Sequence, residues 1–409
     1  MNWLEVGALR LLGRDGRLLF ATRAVRMFAF GGMSVVLALY LSALGFDGLQ
    51  IGWLLSLTLT GDAIISLYIS SVADRVGRAK MLMLGAGLMI LSGVVFALSG
   101  NFWWLLAAAI IGTISPSANE VGPFLALEQS AISQNLPAGS RTAVFAWYNL
   151  AGSFATALGA LGAGLLVQAL QQTGSSAVQS HQIVIALYGA LGGLLLVMFT
   201  RLSPSIEVNA PAPSSQNALG LGESKGVILR LSSLIALDGF GSGLVVQSLI
   251  VLWFERKFGV QPVLLGAIFF GANILAGFSA LAASRVAARF GLINTMVFTH
   301  IPSNILLMLV PLMPNLGWAI AVLLARFSIS QMDVPTRQSY VMSVVQPSER
   351  SAAAGVTGIA RTIGSSLAPL LAGALGFGSA PFFLAGGLKI VYDLALYRSF
   401  IAVKPPEER

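Results

Sequence analysis

Two apolar runs, Leu49 to Ile69 and Met81 to Leu98, are each long enough to cross a bilayer. Only the short stretch Ser70 to Lys80 separates them, which forces a hairpin at a membrane surface. Arg75, Arg78 and Lys80 in that hairpin place it on the cytoplasmic side. Comparable runs recur near 20–42, 49–70, 80–99, 102–127, 142–168 and 181–200, and again near 229–254, 262–284, 292–312, 316–340, 351–375 and 380–401. With 10% charged residues, against about 25% in soluble domains, the chain reads as an all-α membrane protein of twelve transmembrane helices.

One polar stretch interrupts the series, 203–226, with Pro204, Pro211, Pro213 and a Ser pair. It divides the chain into six-span halves, 1–202 and 227–409, joined by a cytoplasmic linker. An even number of spans puts both termini on one side. Arg10, Arg14, Arg17, Arg23 and Arg26 before and at the first span, with Arg141, Arg201, Arg285, Arg289 and Arg398, assign that side to the cytoplasm, because the opposite loops hold only Arg256 and Lys257. The expected setting is a bacterial inner (plasma) membrane. The net charge of +8 is spread over short loops, so it reflects orientation in the lipid bilayer rather than nucleic-acid binding. No A-x-A-like site follows the first apolar run, so an uncleaved cytoplasmic tail is expected. The absence of Cys excludes disulfides and cysteine-ligated metals.

The hairpin reads S-S-V-A-D-R-V-G-R-A-K. Its D-R-x-G-R core, after a second span, resembles the loop 2–3 signature of the major facilitator superfamily, with Ser70 at the usual glycine position and the second basic residue delayed to Lys80. A second copy, Ser284 to Gly291, falls at the matching place in the other half, with Ala288 answering Asp74. Pro137 to Arg141 answers Pro347 to Arg350, Glu128 answers Arg337, and Glu120-Val121 loosely answers Asp333-Val334. The resemblance implies two pseudo-symmetric six-helix bundles, related about an axis along the membrane normal, with spans one, four, seven and ten lining the central path. It also implies a cytoplasmic gate of Asp74, Arg75, Gly77, Arg78 and Glu128, in which Glu128 contacts Arg78 and Asp74 caps span eleven near Ser351.

An ionisable residue inside a span costs about 2.5–3.5 kcal/mol on insertion scales, so each needs a reason. Glu120 lies in S-P-S-A-N-E-V-G-P, where Pro116, Pro123 and Gly122 must interrupt span four. Such irregular backbone is tolerated only when buried in protein or lining water, so Glu120 is either a proton carrier or packing glue. Asp238, among glycines in span seven, is a candidate cavity residue, and with Glu120 it is the expected point of proton or substrate contact. Asp62 heads the stripe Asp62, Ser66, Ser70 on one helical face, suited to transmitting gate motion rather than binding substrate, though it also counts among the candidates for the substrate or proton pathway. Asp333 and Arg361 are candidate partners, Arg326 is a further cation in span ten, and Lys389 with Asp393 reads as an intrahelical pair. His300 beside Pro302 is expected to be packed and hydrogen-bonded, and Trp103, Trp104 and Trp318 to sit in an interfacial belt.

No phosphate-binding loop, nucleophile–base set or metal cluster is present in the sequence, so neither catalysis nor a cofactor is expected. The expected function is secondary transport of a small organic solute by alternating access, exporting it by proton antiport as a monomer. The alternatives are uptake by symport or uniport, and a non-transporting receptor or scaffold, which would need an appended soluble domain. The in-span acids favour cationic or neutral solutes; Arg326 and Arg361 favour the opposite.

Overall fold

The computed structural model describes residues 6–120, 122–134, 136–137, 140–207, 224–346 and 349–401, and those residues form helices without strands. In chain order the helices are α1 (Arg14–Ala43), α2 (Gly48–Val76), α3 (Arg78–Leu98), α4 (Phe102–Ile111), α5 (Phe124–Gln134), α6 (Arg141–Gln172), α7 (Ala177–Phe199) and α8 (Lys225–Leu244). There follow α9 (Gln247–Phe258), α10 (Pro262–Phe290), α11 (Leu292–Leu309), α12 (Leu316–Ile329), α13 (Asp333–Ser343), α14 (Arg350–Ala374) and α15 (Ala380–Phe400). Twelve spans result, with α4 and α5 forming the fourth, α8 and α9 the seventh, and α12 and α13 the tenth. Nine spans among the described residues are long and apolar enough to cross a membrane by themselves. The fourth and tenth are broken, and the eleventh, α14, is long but amphipathic.

The chain forms two compact units, Met1–Ala212 with Gln247–Phe270 and Pro213–Val246 with Gly271–Arg409. In the first unit, α1 is buried over most of its length and crosses α6 at glycines: a Cβ on Gly31 would strike the Thr156 carbonyl, and one on Gly159 the Phe28 carbonyl. Small residues thus let backbones touch where lipid offers no hydrophobic drive between helices. α9 packs on the same unit, where Ser248 donates its N–H to the Pro116 carbonyl (3.0 Å) and its hydroxyl to the Ser34 carbonyl (2.7 Å). In the second unit α8 and α14 repeat this crossing, with Gly239 against the Arg361 carbonyl and Gly364 against the Ala236 carbonyl. Ile235, Met296, Tyr340, Tyr392 and Leu396 fill the apolar core there.

The hairpin glycine and its counterpart have a conformational cause. Gly77, between α2 and α3, has φ +113°, and Gly291, between α10 and α11, has φ +83°, a region that L side chains avoid. Each lets one helix end and the next begin without a loop. At the opposite helix ends, Asn101 accepts from Trp103 N–H (2.9 Å) and Asn315 from Trp318 N–H (3.1 Å), capping α4 and α12. Trp103, Trp104 and Trp318 are exposed beside these caps, as an interfacial belt requires.

Candidate functional site

Each unit encloses a polar cluster, and each cluster is built where helices cross at glycine or break. In the first unit the helical spacing of α1 brings Thr22, Arg23 and Arg26 to face α5 and α6. Between α4 and α5 the chain is non-helical, with Ala118 at φ 60° and Gly122 at φ +80°, as Pro116 and Pro123 dictate. This break carries Glu120. Arg26 grips Glu128 with two nitrogens, Nη1–Oε1 at 2.9 Å and Nη2–Oε2 at 2.7 Å, and reaches Glu120 through Nε at 2.6 Å. Thr22 donates to Glu128 Oε1 (2.9 Å), and the Tyr148 hydroxyl donates to Glu128 Oε2. Arg23 meets Glu120 at 2.9 Å, and its guanidinium lies 4.1 Å from the centre of the Tyr148 ring. Two arginines thus neutralise two glutamates, and the Arg26 and Glu128 side chains are 0% exposed. Four donors from three residues occupy the two oxygens of Glu128.

Asp62, on α2, has a different environment. Its Oδ1 accepts the Gly122 N–H at 2.6 Å, at the span-four break. Among the described residues no Arg, Lys or His comes within ion-pair distance of it. Ser66 of the same stripe is half-buried and Ser70 is exposed.

In the second unit Asp238, 1% exposed, is the hub. Lys389 Nζ meets Oδ1 at 2.8 Å, while Arg361 Nη1 (2.7 Å) and Arg337 Nη1 (3.0 Å) share Oδ2. Arg337 also meets Asp333 at 3.0 Å. His300 Nδ1 lies 2.8 Å from Asp393 Oδ1, and Asn304 donates to the other Asp393 oxygen at 3.3 Å. Two expected pairings are therefore corrected. Lys389 does not pair with Asp393 along its own helix, although both are buried: its ammonium reaches Asp238, while the two oxygens of Asp393 are taken by His300 and Asn304. Asp333 does not pair with Arg361. Close packing at Gly239 sets the backbone of Arg361 beside α8, so its guanidinium falls on Asp238. His300 is packed and hydrogen-bonded, as expected. Arg326 is half-buried, and among the described residues it has no ion pair.

The hairpin is also assembled differently from expectation. Arg78 meets Asp74 (3.0 Å), Gln134 Oε1 (2.9 Å) and the Ile206 carbonyl (3.1 Å), and not Glu128. The reason is reach: Arg26 occupies Glu128 deep inside the unit, and Gln134, six positions further along the same span, is what the hairpin meets. Glu207 accepts the N–H groups of Arg78 (2.6 Å) and Ala79 (3.1 Å), a carboxylate on the N-terminus of α3. Arg75 is exposed. The expected cap by Asp74 near Ser351 falls on a side chain outside the described residues. Replacing Glu207 with Ala is expected to cost about 1 kcal/mol locally, read as faster hydrogen exchange at the first amides of α3 with the remaining helices unchanged.

Several of these residues escaped the sequence reading. Arg23 and Arg26 stand in the sequence among the cations that mark the cytoplasmic side, and in the structure they are buried partners of the span-four acids. Tyr148, Gln134 and Glu207 carry no pattern that marks them. The available signal was charge balance: two cations three residues apart at one end of the first apolar run, and two acids in the fourth.

A family model described as Major Facilitator Superfamily matches residues 19–369. The uncharacterized membrane protein YJR124C of Saccharomyces cerevisiae is 30% identical over 424 aligned positions, covering 95% of this chain and 95% of that protein. The crystal structure of the nucleoside transporter NupG superposes with a TM-score of 0.74 at 15% identity, covering 95% of this chain and 99% of that one. A D-xylose-proton symporter superposes with a TM-score of 0.68 at 14% identity, over 94% and 97% of the two chains. At these identities the structural likeness concerns the fold.

Proposed function

Because the chain belongs to the major facilitator superfamily, we propose that it moves a small organic solute across the membrane in exchange with protons, and that Asp62 takes up and releases the proton. The family's members carry solutes rather than transform them. The observation that carries the reading is the environment of Asp62. A carboxylate inside a span without a countercharge can change its protonation state without breaking an ion pair. Glu120, Glu128 and Asp238 each hold at least two cationic nitrogens and cannot.

Protonation of Asp62 converts its charge-assisted bond from Gly122 into a weaker neutral one. Gly122 lies in the break that carries Glu120, and Glu120 holds Arg23 and Arg26. Proton uptake is thereby transmitted to the contact between α1, α5 and α6. In the proposed direction, export by antiport, solute and proton occupy the protein in alternation. Symport is the second reading, favoured by the likeness to the D-xylose-proton symporter. The proposed setting is a bacterial inner membrane, as a monomer with both termini cytoplasmic, and the basic short loops support that orientation.

Flux in proteoliposomes tests the reading. An imposed pH gradient is expected to drive solute movement by the native protein and not by Asp62→Asn, while exchange down a solute gradient persists in both. The sign of the effective gradient separates antiport from symport. Equal gradient-driven transport by the two proteins contradicts the assignment.

A further inference from the structure

The charges inside the second unit do not cancel. Arg326, Arg337, Arg361 and Lys389 face three acids, Asp238, Asp333 and Asp393, and each acid already has its partner: Lys389, Arg337 and Arg361 on Asp238, Arg337 on Asp333, His300 on Asp393. Arg326 is the surplus cation, and its buried Nε has no hydrogen-bond partner. Its guanidinium lies 4.9 Å from the centre of the Phe327 ring, and a half-buried cation without a carboxylate favours an anion nearby.

Arg361 shows where that anion would enter. Its side chain is 36% exposed and uses a single nitrogen, Nη1, on Asp238, so the rest of its planar fork is open. α14 explains which medium it faces. Ile359, Ile363, Leu367 and Leu371 form one exposed apolar stripe, suited to lipid. Gly358, Arg361, Thr362 and Ser365 form a separate stripe on nearly the opposite side of the helix, also partly exposed. A polar stripe at membrane depth faces water or solute rather than hydrocarbon. α14 is accordingly missing from the spans that are apolar enough to cross alone.

We propose that the transported solute carries an oxyanion, a carboxylate or phosphate, which binds the open fork of Arg361 while Arg326 supplies the charge that balances it. This names the solute class for the transport reading above and rests on it. Arginine suits the task because its rigid fork matches an oxyanion with two parallel bonds. The acids of this unit are already occupied by cations, which leaves the open fork of Arg361 to meet a solute.

Modification of arginines by 4-hydroxyphenylglyoxal, located by mass spectrometry on the delipidated protein in detergent, tests the proposal. Benzoate and inorganic phosphate should each slow modification of Arg361, whereas benzamide and benzylamine, the neutral and cationic counterparts of benzoate, should not. Arg230, which is exposed at the start of α8, reports general ionic screening and should be unaffected. Arg326→Gln should weaken the protection, and Arg326→Lys, which keeps the charge, should retain it. Absence of protection by both anions, equal protection by benzamide, or equal protection at Arg230 overturns the proposal. So does full protection in a folded Arg326→Gln protein. The readout needs no proton flux, so failure of the Asp62 assignment leaves it intact and is distinguishable from it.

Discussion

Replacing Asp238 with Asn is expected to destabilise the protein by about 3–5 kcal/mol, because removing one member of a buried ionic cluster leaves its partners charged and unpaired. The effect should exceed that of any other single change in the second unit, since Lys389, Arg361 and Arg337 all depend on this carboxylate. Thermal unfolding in detergent, followed by tryptophan fluorescence, measures it. Asp238→Asn combined with Lys389→Met should recover part of the loss, because removing both charges is cheaper than removing one. A double variant less stable than the single one would mean that Lys389 acts through its packing rather than its charge.

Replacing Glu128 with Gln is expected to have an effect of similar size, about 3–5 kcal/mol, for a different geometric reason. Glu128 has a single close cation, Arg26, which grips both oxygens, and two hydroxyl donors complete the shell. The amide of Gln presents an NH2 group to donors already aimed at it, so at least one contact becomes repulsive. Arg26 keeps Glu120 through Nε at 2.6 Å, but its two Nη groups lose their carboxylate, and Phe124 under the guanidinium at 4.4 Å gives them little relief. Glu128→Gln should lower the unfolding midpoint much more than Asp74→Asn, because Asp74 is an exposed partner of Arg78 and exposed pairs contribute about 0–1 kcal/mol.

The fold was legible because hydrophobic length, loop charge and two prolines act locally. The hairpin at Gly77, the broken fourth span and the exposed tryptophans could all be read from neighbouring residues. The buried acids Glu120, Asp238 and Asp333 also stood out, since any charge inside an apolar run asks for an explanation. Their partners did not. Arg26 and Glu128 are 102 positions apart, and no local spacing encodes such a contact. Arg26 was hidden further by its place at the start of a span, where a cation normally marks the membrane surface. Lys389 and Asp393 misled for the converse reason: an i, i+4 spacing is visible in sequence, whereas the stronger pull of Asp238 across the bundle is not. The amphipathic character of α14 was present in 351–375 as Gly358, Arg361, Thr362 and Ser365, but counting apolar residues alone concealed the stripe.

On the proposed reading the proton is carried at Asp62, and Glu120 belongs to a structural charge lock. The direct test follows a pH-sensitive dye in inside-out vesicles on addition of anionic, neutral and cationic solutes, for the native protein, Asp62→Asn and Glu120→Gln. The expected result is solute-triggered proton movement by the native protein and none by Asp62→Asn, which remains folded and still exchanges solute. Glu120→Gln is expected to lose stability first, because it releases Arg23 and Arg26. Native-like proton movement by Asp62→Asn, or a fully stable Glu120→Gln that alone abolishes it, would contradict the assignment.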